Sequence, residues 1–334
     1  MRKKADNKQK KSPLKDDIEN IVFMEHLSSC EFYLEDGETP RLVLRDVGLL
    51  FQKGQTWGIT GNSLFEIKLL TEIIANIKPY RSGNCVLVER GMMRHKRLIL
   101  PHVFYIGSSE MLYNNMTVLE FLMFATDKMP GNKREHQERL LEYLISIGLK
   151  RIALTSIYKL SREQKAVIIL LVAAYSKSKL IVYNLPDYSF DETLLGAMKQ
   201  MMQLITEKGE TLVIATSSPG LIEEVCSHIL FLRNGTVFYQ GPVHDFCHKY
   251  DRIILTIQGS NIKSIAVILK TMLPCYQYDI KGDNLIVSAR QATKENPELV
   301  CKKIVETGFI PERIEVNFKN VKNAYEEIIR NHDL

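Results

Sequence analysis

The chain has 334 residues, 45% hydrophobic and 25% charged, enough apolar material for a sizeable buried core and about two domains. A formal net charge of +5 is mildly basic and does not by itself imply a nucleic-acid partner, so no specific nucleic acid is expected. The longest apolar run, Ala166 to Tyr175, is far short of the ~20 residues a bilayer-crossing helix needs, so any membrane role is expected to come through a partner.

Residues 1–17 carry seven Lys/Arg and three Asp, and no apolar stretch follows. This excludes a signal peptide and predicts a disordered basic arm over 1–18, with contact to anionic lipid or an acidic surface as the alternative. Apolar runs then predict strands at 20–24, 41–46, 55–60, 84–89, 102–107, 179–184, 211–216, 228–233 and 236–240. Several are continuous rather than alternating, as in Lys179–Asn184, which suits strands covered on both faces of a parallel α/β sheet. Helical spacing links Leu69, Leu70, Ile73, Ile74 and Ile77, and most of 117–160 reads as helical, an insertion of the kind that forms a separate lobe. After residue 250 the predicted order is strand 252–258, helix 261–273, strands 276–280 and 284–289, helix 296–307, strand 312–318 and helix 320–330, a ferredoxin-like βαββαβ pattern with one extra helix. The six cysteines are scattered and none has C-x-x-C spacing, as expected of reduced thiols in a cytosolic protein. His244, Cys247 and His248 read as a helix end rather than a metal site.

Five segments carry the chemistry-bearing residues. Gly58-Ile-Thr-Gly61-Asn62-Ser63-Leu-Phe-Glu-Ile-Lys68 lies between a strand and a helix. His102–Val118 contains Ser108 after a strand. Leu160-Ser161-Arg-Glu-Gln164 opens an apolar helix and, taken alone, reads as a simple N-cap. Leu180–Asp187 ends a strand in Asn184-Leu185-Pro186, with Asp191 close behind. Ala215-Thr-Ser217-Ser-Pro219 follows another strand, and the run 222–242 contains an Asn234-Gly235 hairpin turn.

In order and spacing these segments resemble the nucleotide-binding subunit of an ATP-binding-cassette (ABC) transporter, over about 20–245. The resemblance implies a P-loop NTPase-like α/β core with an inserted helical lobe over about 109–160, and a nucleotide-binding domain over 19–248. The phosphate loop of that family, G-x-x-x-x-G-K-[ST], cradles phosphate with converging backbone N–H groups, a lysine and a magnesium-holding hydroxyl. Here Gly58, Gly61, Asn62 and Ser63 remain as cofactor-binding candidates. The inner glycine positions fall on Leu64 and Glu66, the lysine position on Ile67 and the hydroxyl position on Lys68. A carboxylate facing phosphate at about 4 Å costs on the order of 4 kcal/mol at an effective dielectric near 20. Ser108 stands at the Q-loop glutamine, Asn184 at the magnesium-holding aspartate, Leu185 at the catalytic glutamate and Ser217 at the switch histidine. Leu185 cannot accept a proton, and loss of a general base costs 10²–10⁴-fold. Ser161 and Gln164 match the family's signature segment, whose helix N-terminus binds phosphate held by an opposite subunit. Asp191 also matches.

The resemblance therefore implies a degenerate transporter subunit, hydrolysis-deficient on its own, cytoplasmic and peripheral on the inner face of the membrane. ATP and magnesium are held weakly, or only in a composite site with a partner. Its partners would be a membrane-spanning permease subunit and a second nucleotide-binding domain. Two alternatives stand beside it: an active ATPase with a rearranged loop in which Lys68 reaches the phosphates and Thr71 lies near, and a soluble regulatory pseudo-ATPase. The 250–334 domain resembles one found on some drug- and peptide-type exporter ATPases, which implies export. Phe32 and Tyr33 lie in the stretch where an adenine-stacking aromatic is expected.

Overall fold

A computed structural model describes residues 20–33, 40–107, 112–126, 132–185, 187–290 and 293–330. The basic arm therefore lies outside the described residues, as do Ser108 and Pro186.

The first strand, β1 (Asn20–Ser29), is flanked in an antiparallel sheet by β4 (Val47–Gln52) on one side and by β6 (Tyr80–Leu87) and β7 (Arg90–Gly91) on the other. A small ribbon of β2 (Phe32–Tyr33) and β3 (Arg41–Leu42) projects beside it. The strand expected over 41–46 is cut short. Asp46 takes a positive φ of 51°, which turns the chain, and an unpredicted strand, β4, follows.

The central sheet holds six strands in the order β12-β11-β5-β10-β9-β8. Five run parallel: β5 (Thr56–Gly61), β8 (Val103–Ile106), β9 (Leu180–Asn184), β10 (Thr211–Ala215) and β11 (His228–Arg233). The last, β12 (Thr236–Pro242), returns antiparallel through the Asn234-Gly235 turn, where both residues have positive φ.

Successive strand residues point to opposite faces, and two cores follow. Leu180, Val182, Val213 and Ala215 face the antiparallel sheet, α1 (Leu64–Ile74) and α2 (Met92–Ile99). Ile181, Tyr183, Leu212 and Ile214 face α5 (Arg162–Tyr175), α6 (Glu192–Glu207), α7 (Pro219–Val225) and α8 (Val243–Tyr250). The inserted helices α3 (Val118–Ala125) and α4 (Lys133–Ser146) bury Leu122, Leu140 and Leu144 in this second core, so the helical block continues the sheet's core instead of forming a core of its own.

The C-terminal unit follows the expected order: β13 (Ile253–Gln258), α9 (Ile262–Met272), β14 (Tyr276–Lys281), β15 (Asn284–Ala289), α10 (Pro297–Glu306) and β16 (Arg313–Val316), with sheet order β14-β15-β13-β16. Its core runs from Ile254 to Ile304. The final helix, α11 (Val321–Arg330), leaves it and packs on α8 and α7, burying Val321, Ala324 and Ile328 in the second core of the central sheet. The domain expected over 250–334 thus ends, in packing terms, before α11. Buried Asp251 ties the two units together. Its carboxylate accepts from Ile253 N, Asn317 Nδ2 and Asn320 N, each at 3.0 Å, and from Asn323 Nδ2 at 3.2 Å.

Candidate functional site

Strand register brings the predicted segments to one edge. Gly61 pairs beside Leu232, Ile59 beside Ala215, Ala215 beside Asn184, and Tyr183 beside Ile106. The ends of β5, β10, β9 and β8 therefore form a crest at the carboxyl end of the parallel sheet, where open α/β folds bind ligands. Gly61, Asn62, Ser63, Asn184, Leu185 and Ser217 lie on it, whereas Gly58 sits in the middle of β5, beside Ile214, and is not part of the crest. The Q-loop candidate Ser108 follows β8 but falls outside the described residues.

The turn after β5 is short. Only Asn62 and Ser63 separate the strand from α1, whose first helical residue is Leu64. Residues 61–66 include no positive φ, so the turn lacks the left-handed positions that glycine-rich phosphate cradles use. Gly61 is required by packing instead. A Cβ there would come well inside 3.0 Å of the Leu232 carbonyl oxygen on β11. At Gly58 a Cβ would meet Ile222 Cγ2 at 2.8 Å.

Ser63 caps α1 by accepting from Glu66 N at 3.4 Å. The Tyr33 hydroxyl closes over this end, 3.0 Å from Ser63 Oγ and donating to Glu66 Oε1 at 3.3 Å. The Tyr33 ring meets Phe65 edge-on with centroids 6.0 Å apart, and Arg41 lies over it at 5.4 Å. Burial raises the Tyr33 phenol above its ordinary pKa, with the Ser63 hydrogen bond opposing. Tyr33, one of the two aromatics in the stretch where adenine stacking is expected, is therefore engaged as a lid on the helix end. Phe32, the other candidate, lies under Arg81 at 5.5 Å. Glu66, expected to face phosphate, is only 2% exposed and turned toward Tyr33, and its Oε2 has no partner among the described residues.

Ile67, at the lysine position, is buried in the core. Lys68 is the next residue of α1, and its Nζ lies 4.0 Å from Glu72 Oε1. Thr71 is fully buried and its hydroxyl donates to the Ile67 carbonyl at 2.6 Å. Neither is arranged as the rearranged-loop alternative requires.

Ser161 and Gln164 form a capping box on α5. Ser161 Oγ accepts from Gln164 N at 3.2 Å, and Gln164 Oε1 accepts from Ser161 N at 3.0 Å. The Glu163 carboxylate is held below its usual range by its own amide N–H, and next by the Ser161 hydroxyl. The chain thus supplies its own anion to this helix start. The α5 helix is anchored to β9 by the Tyr183 hydroxyl, which donates to the Ala166 carbonyl at 3.1 Å.

Leu185 is 2% exposed and its amide extends the β10 pairing to Ala215 O at 2.9 Å. Asp191 caps α6, accepting from Leu194 N at 2.8 Å. Ser217 is half-buried after β10. A link that no local sequence signal could reveal comes from α11: the Tyr325 hydroxyl donates to the Gly61 carbonyl at 3.2 Å.

These residues do not fit a magnesium triphosphate. The α1 end carries a buried carboxylate and a tyrosine lid, the lysine position is core, and no carboxylate stands at Asn184 or Leu185. Among the described residues, no group of three or more His, Cys, Asp or Glu is placed to hold a metal ion, and no helix is long and apolar enough to cross a membrane.

The parallel crest, the strand–turn–helix at Gly61 and the helical insertion before α5 define the class: an ATP-binding-cassette core of the P-loop NTPase type. Solved structures share it. An ATP-binding subunit of an ABC transporter superposes with TM-score 0.55 at 20% identity, over 69% of this chain and 93% of that one. The MJ0796 cassette dimer bound to ADP and Pi gives TM-score 0.54 at 21% identity, over 66% and 98%. No family model matches the chain. By sequence the chain is similar to HisP, the histidine/lysine/arginine/ornithine transport ATP-binding protein of Escherichia coli, 27% identical over 168 residues, 50% of this chain and 64% of HisP. The chain thus spans less than two thirds of that relative. It is also similar to GlnQ, the glutamine transport ATP-binding protein of the same organism, 26% identical over 212 residues, 60% of this chain and 86% of GlnQ. The chain is a relative of ABC-transporter ATP-binding subunits and carries their fold.

Proposed function

We propose that the chain is a cassette subunit of a membrane transport complex, docked on a membrane-spanning permease and paired with a second nucleotide-binding domain, whose own phosphate site does not cleave ATP. One observation carries the reading. Both helix starts that the family resemblance assigns to phosphate are furnished with the chain's own glutamates, Glu66 on α1 and Glu163 on α5. A helix N-terminus favours an anion by about 0.3–1 kcal/mol at an exposed position, and a carboxylate already there both satisfies that preference and repels phosphate. The buried Leu185 supports the same reading, since it cannot activate water. Any ATP bound would be held in a composite site, with the catalytic groups supplied by the partner cassette. The subunit would sit peripherally on the inner face of the membrane. An export direction rests only on the C-terminal domain, while HisP and GlnQ are named for amino-acid transport.

Calorimetric titration with magnesium-ATP tests this. The chain alone is expected to give no binding heat at micromolar nucleotide, and a mixture with an intact cassette partner to give a signal. Micromolar binding by the isolated chain, or turnover abolished by Lys68→Ala, overturns the proposal.

A further inference from the structure

The two edges of the C-terminal sheet are treated differently. Edge strand β14 is tied to α11 by Lys281–Glu326 at 3.2 Å and Arg330–Asp279 at 3.8 Å, and its Tyr276 and Tyr278 are buried under α9. Among the described residues, edge strand β16 pairs only with β13, and all four of its residues are exposed. By register, Ile314 and Val316 stand on the same face as the buried Ile257 and Leu255, yet they are 38% and 47% exposed. Phe318 at 86% and Ile310 at 94% extend this uncovered apolar strip on either side.

The ladder bond from Asn317 N to the Ile254 carbonyl sets the phase of β16. Residues 313 and 315 direct their backbone polar groups at β13, and Ile314 and Val316 direct theirs outward. An open edge of this kind is a template for another strand. Natural edges are usually defended by charge, and β16 carries Arg313 and Glu315 on its other face, joined at 3.3 Å. The order of those charges selects the partner. If a second β16 lies antiparallel with Ile314 opposite its own copy, Arg313 falls opposite Glu315 twice, and the outward-facing Ile314 groups exchange both hydrogen bonds. A strand with the reverse charge order meets like charges in that register, and an uncharged one gains neither ion pair.

We infer that β16 is a self-complementary docking edge, and that two copies of this chain associate through it across a two-fold axis to form a continuous eight-stranded sheet. The interface is isologous, so each substitution acts twice. It is independent of the nucleotide site and of the transport reading.

The test is sedimentation equilibrium of the full chain without nucleotide. The parent is expected to form a dimer. Arg313→Glu and Glu315→Arg each convert two attractive pairs to two repulsive ones and should weaken dimerisation at least tenfold. The double variant R313E/E315R keeps complementarity and should dimerise like the parent. An equimolar mixture of the two single variants should form a heterodimer. Ile314→Lys should be monomeric with unchanged circular dichroism. A monomeric parent overturns the inference. So does a dimer indifferent to these changes, a double variant as weak as the singles, or an edge that captures an unrelated strand while leaving the chain monomeric.

Discussion

Gly58 and Gly61 occupy the positions most readily read as parts of a phosphate loop, and the geometry assigns both to packing. A methyl at Gly61 would collide with main chain: the Leu232 carbonyl oxygen, with the carbonyl carbon and Cβ at 3.0 Å. Strands β5 and β11 are neighbours about 4.8 Å apart, and they cannot part without breaking ladder bonds. Gly61→Ala should therefore cost about 1–3 kcal/mol, the usual range for overpacking, and no side-chain truncation nearby should relieve it. At Gly58 the methyl meets only side-chain ends, Ile222 Cγ2 at 2.8 Å, Cγ1 at 2.9 Å and Cys226 Sγ at 3.2 Å. Gly58→Ala should cost a similar ~1–3 kcal/mol but couple to Ile222→Val. That change alone costs about 0.5–1.5 kcal/mol, and the double variant should be at least ~0.5 kcal/mol more stable than the sum of the singles. Gly61→Ala with Leu232→Val should show no such coupling. Urea unfolding followed by tryptophan fluorescence measures this directly, because the single tryptophan, Trp57, lies on β5 itself, stacked on Phe51 with centroids 4.3 Å apart. A Gly61→Ala chain with the parental urea midpoint would refute the packing assignment and return the glycine to ligand contact.

Burial pushes the Glu210 carboxyl up to about 7, against the opposing effect of Lys208, and its Oε2 has no partner among the described residues. A raised carboxyl pKa means that the folded state binds the proton more tightly, so stability is fully present below the unfolded value of about 4.3 and falls as pH rises to about 7. Glu210→Gln should therefore stabilise the chain by about 1–2 kcal/mol at pH 8, after discounting for solvent, and leave it nearly unchanged at pH 4, as read from urea midpoints at the two pH values. Tyr33→Phe removes the side-chain donor to Glu66 and should cost about 1–3 kcal/mol, a loss reduced in the Tyr33→Phe, Glu66→Met double variant; equal losses in both backgrounds would contradict the lid. Ile328→Ala should lower the melting of the cassette core, by about 2–4 kcal/mol, although the residue lies at the end of the C-terminal segment; scanning calorimetry with separate transitions distinguishes the two units. Ser161→Ala should cost about 1 kcal/mol in the absence of any nucleotide, measured by chemical denaturation.

The sheet was legible because its strands are continuous apolar runs bounded by polar turns. Lys179–Asn184 and Thr211–Thr216 appear within a residue or two of their predicted bounds. The βαββαβ order after residue 250 was legible for a similar reason, since its helices carry one apolar face and its β14–β15 turn contains Gly282 at positive φ. Strand β4 was not, because a local turn at Asp46 decides where one apolar run stops and the next begins. The destination of α11 was also hidden. Its amphipathic spacing predicts a helix but not which core receives Val321, Ala324 and Ile328. At the site, the strand–turn–helix around Gly61 was legible from the apolar run before it and the helical spacing of Leu69 to Ile77 after it, whereas the Tyr33 lid and the Tyr325 contact depend on residues 30 and 264 positions away.

The positions that match the cassette pattern and those that depart from it divide along a physical line. Gly58 and Gly61 admit no side chain, Ser161 and Gln164 cap each other across α5, and Asp191 caps α6; each contributes to the fold with no ligand present. The departures fall where the family resemblance expects groups that serve only the triphosphate. Ile67 and Leu185 fill apolar space at the lysine and glutamate positions, and burying a cation or carboxylate there would need a compensating partner. Chemistry and stability thus draw on different atoms of one crest. On the reading proposed above, that separation lets a cassette keep its sheet and helix starts while its phosphate-binding groups change.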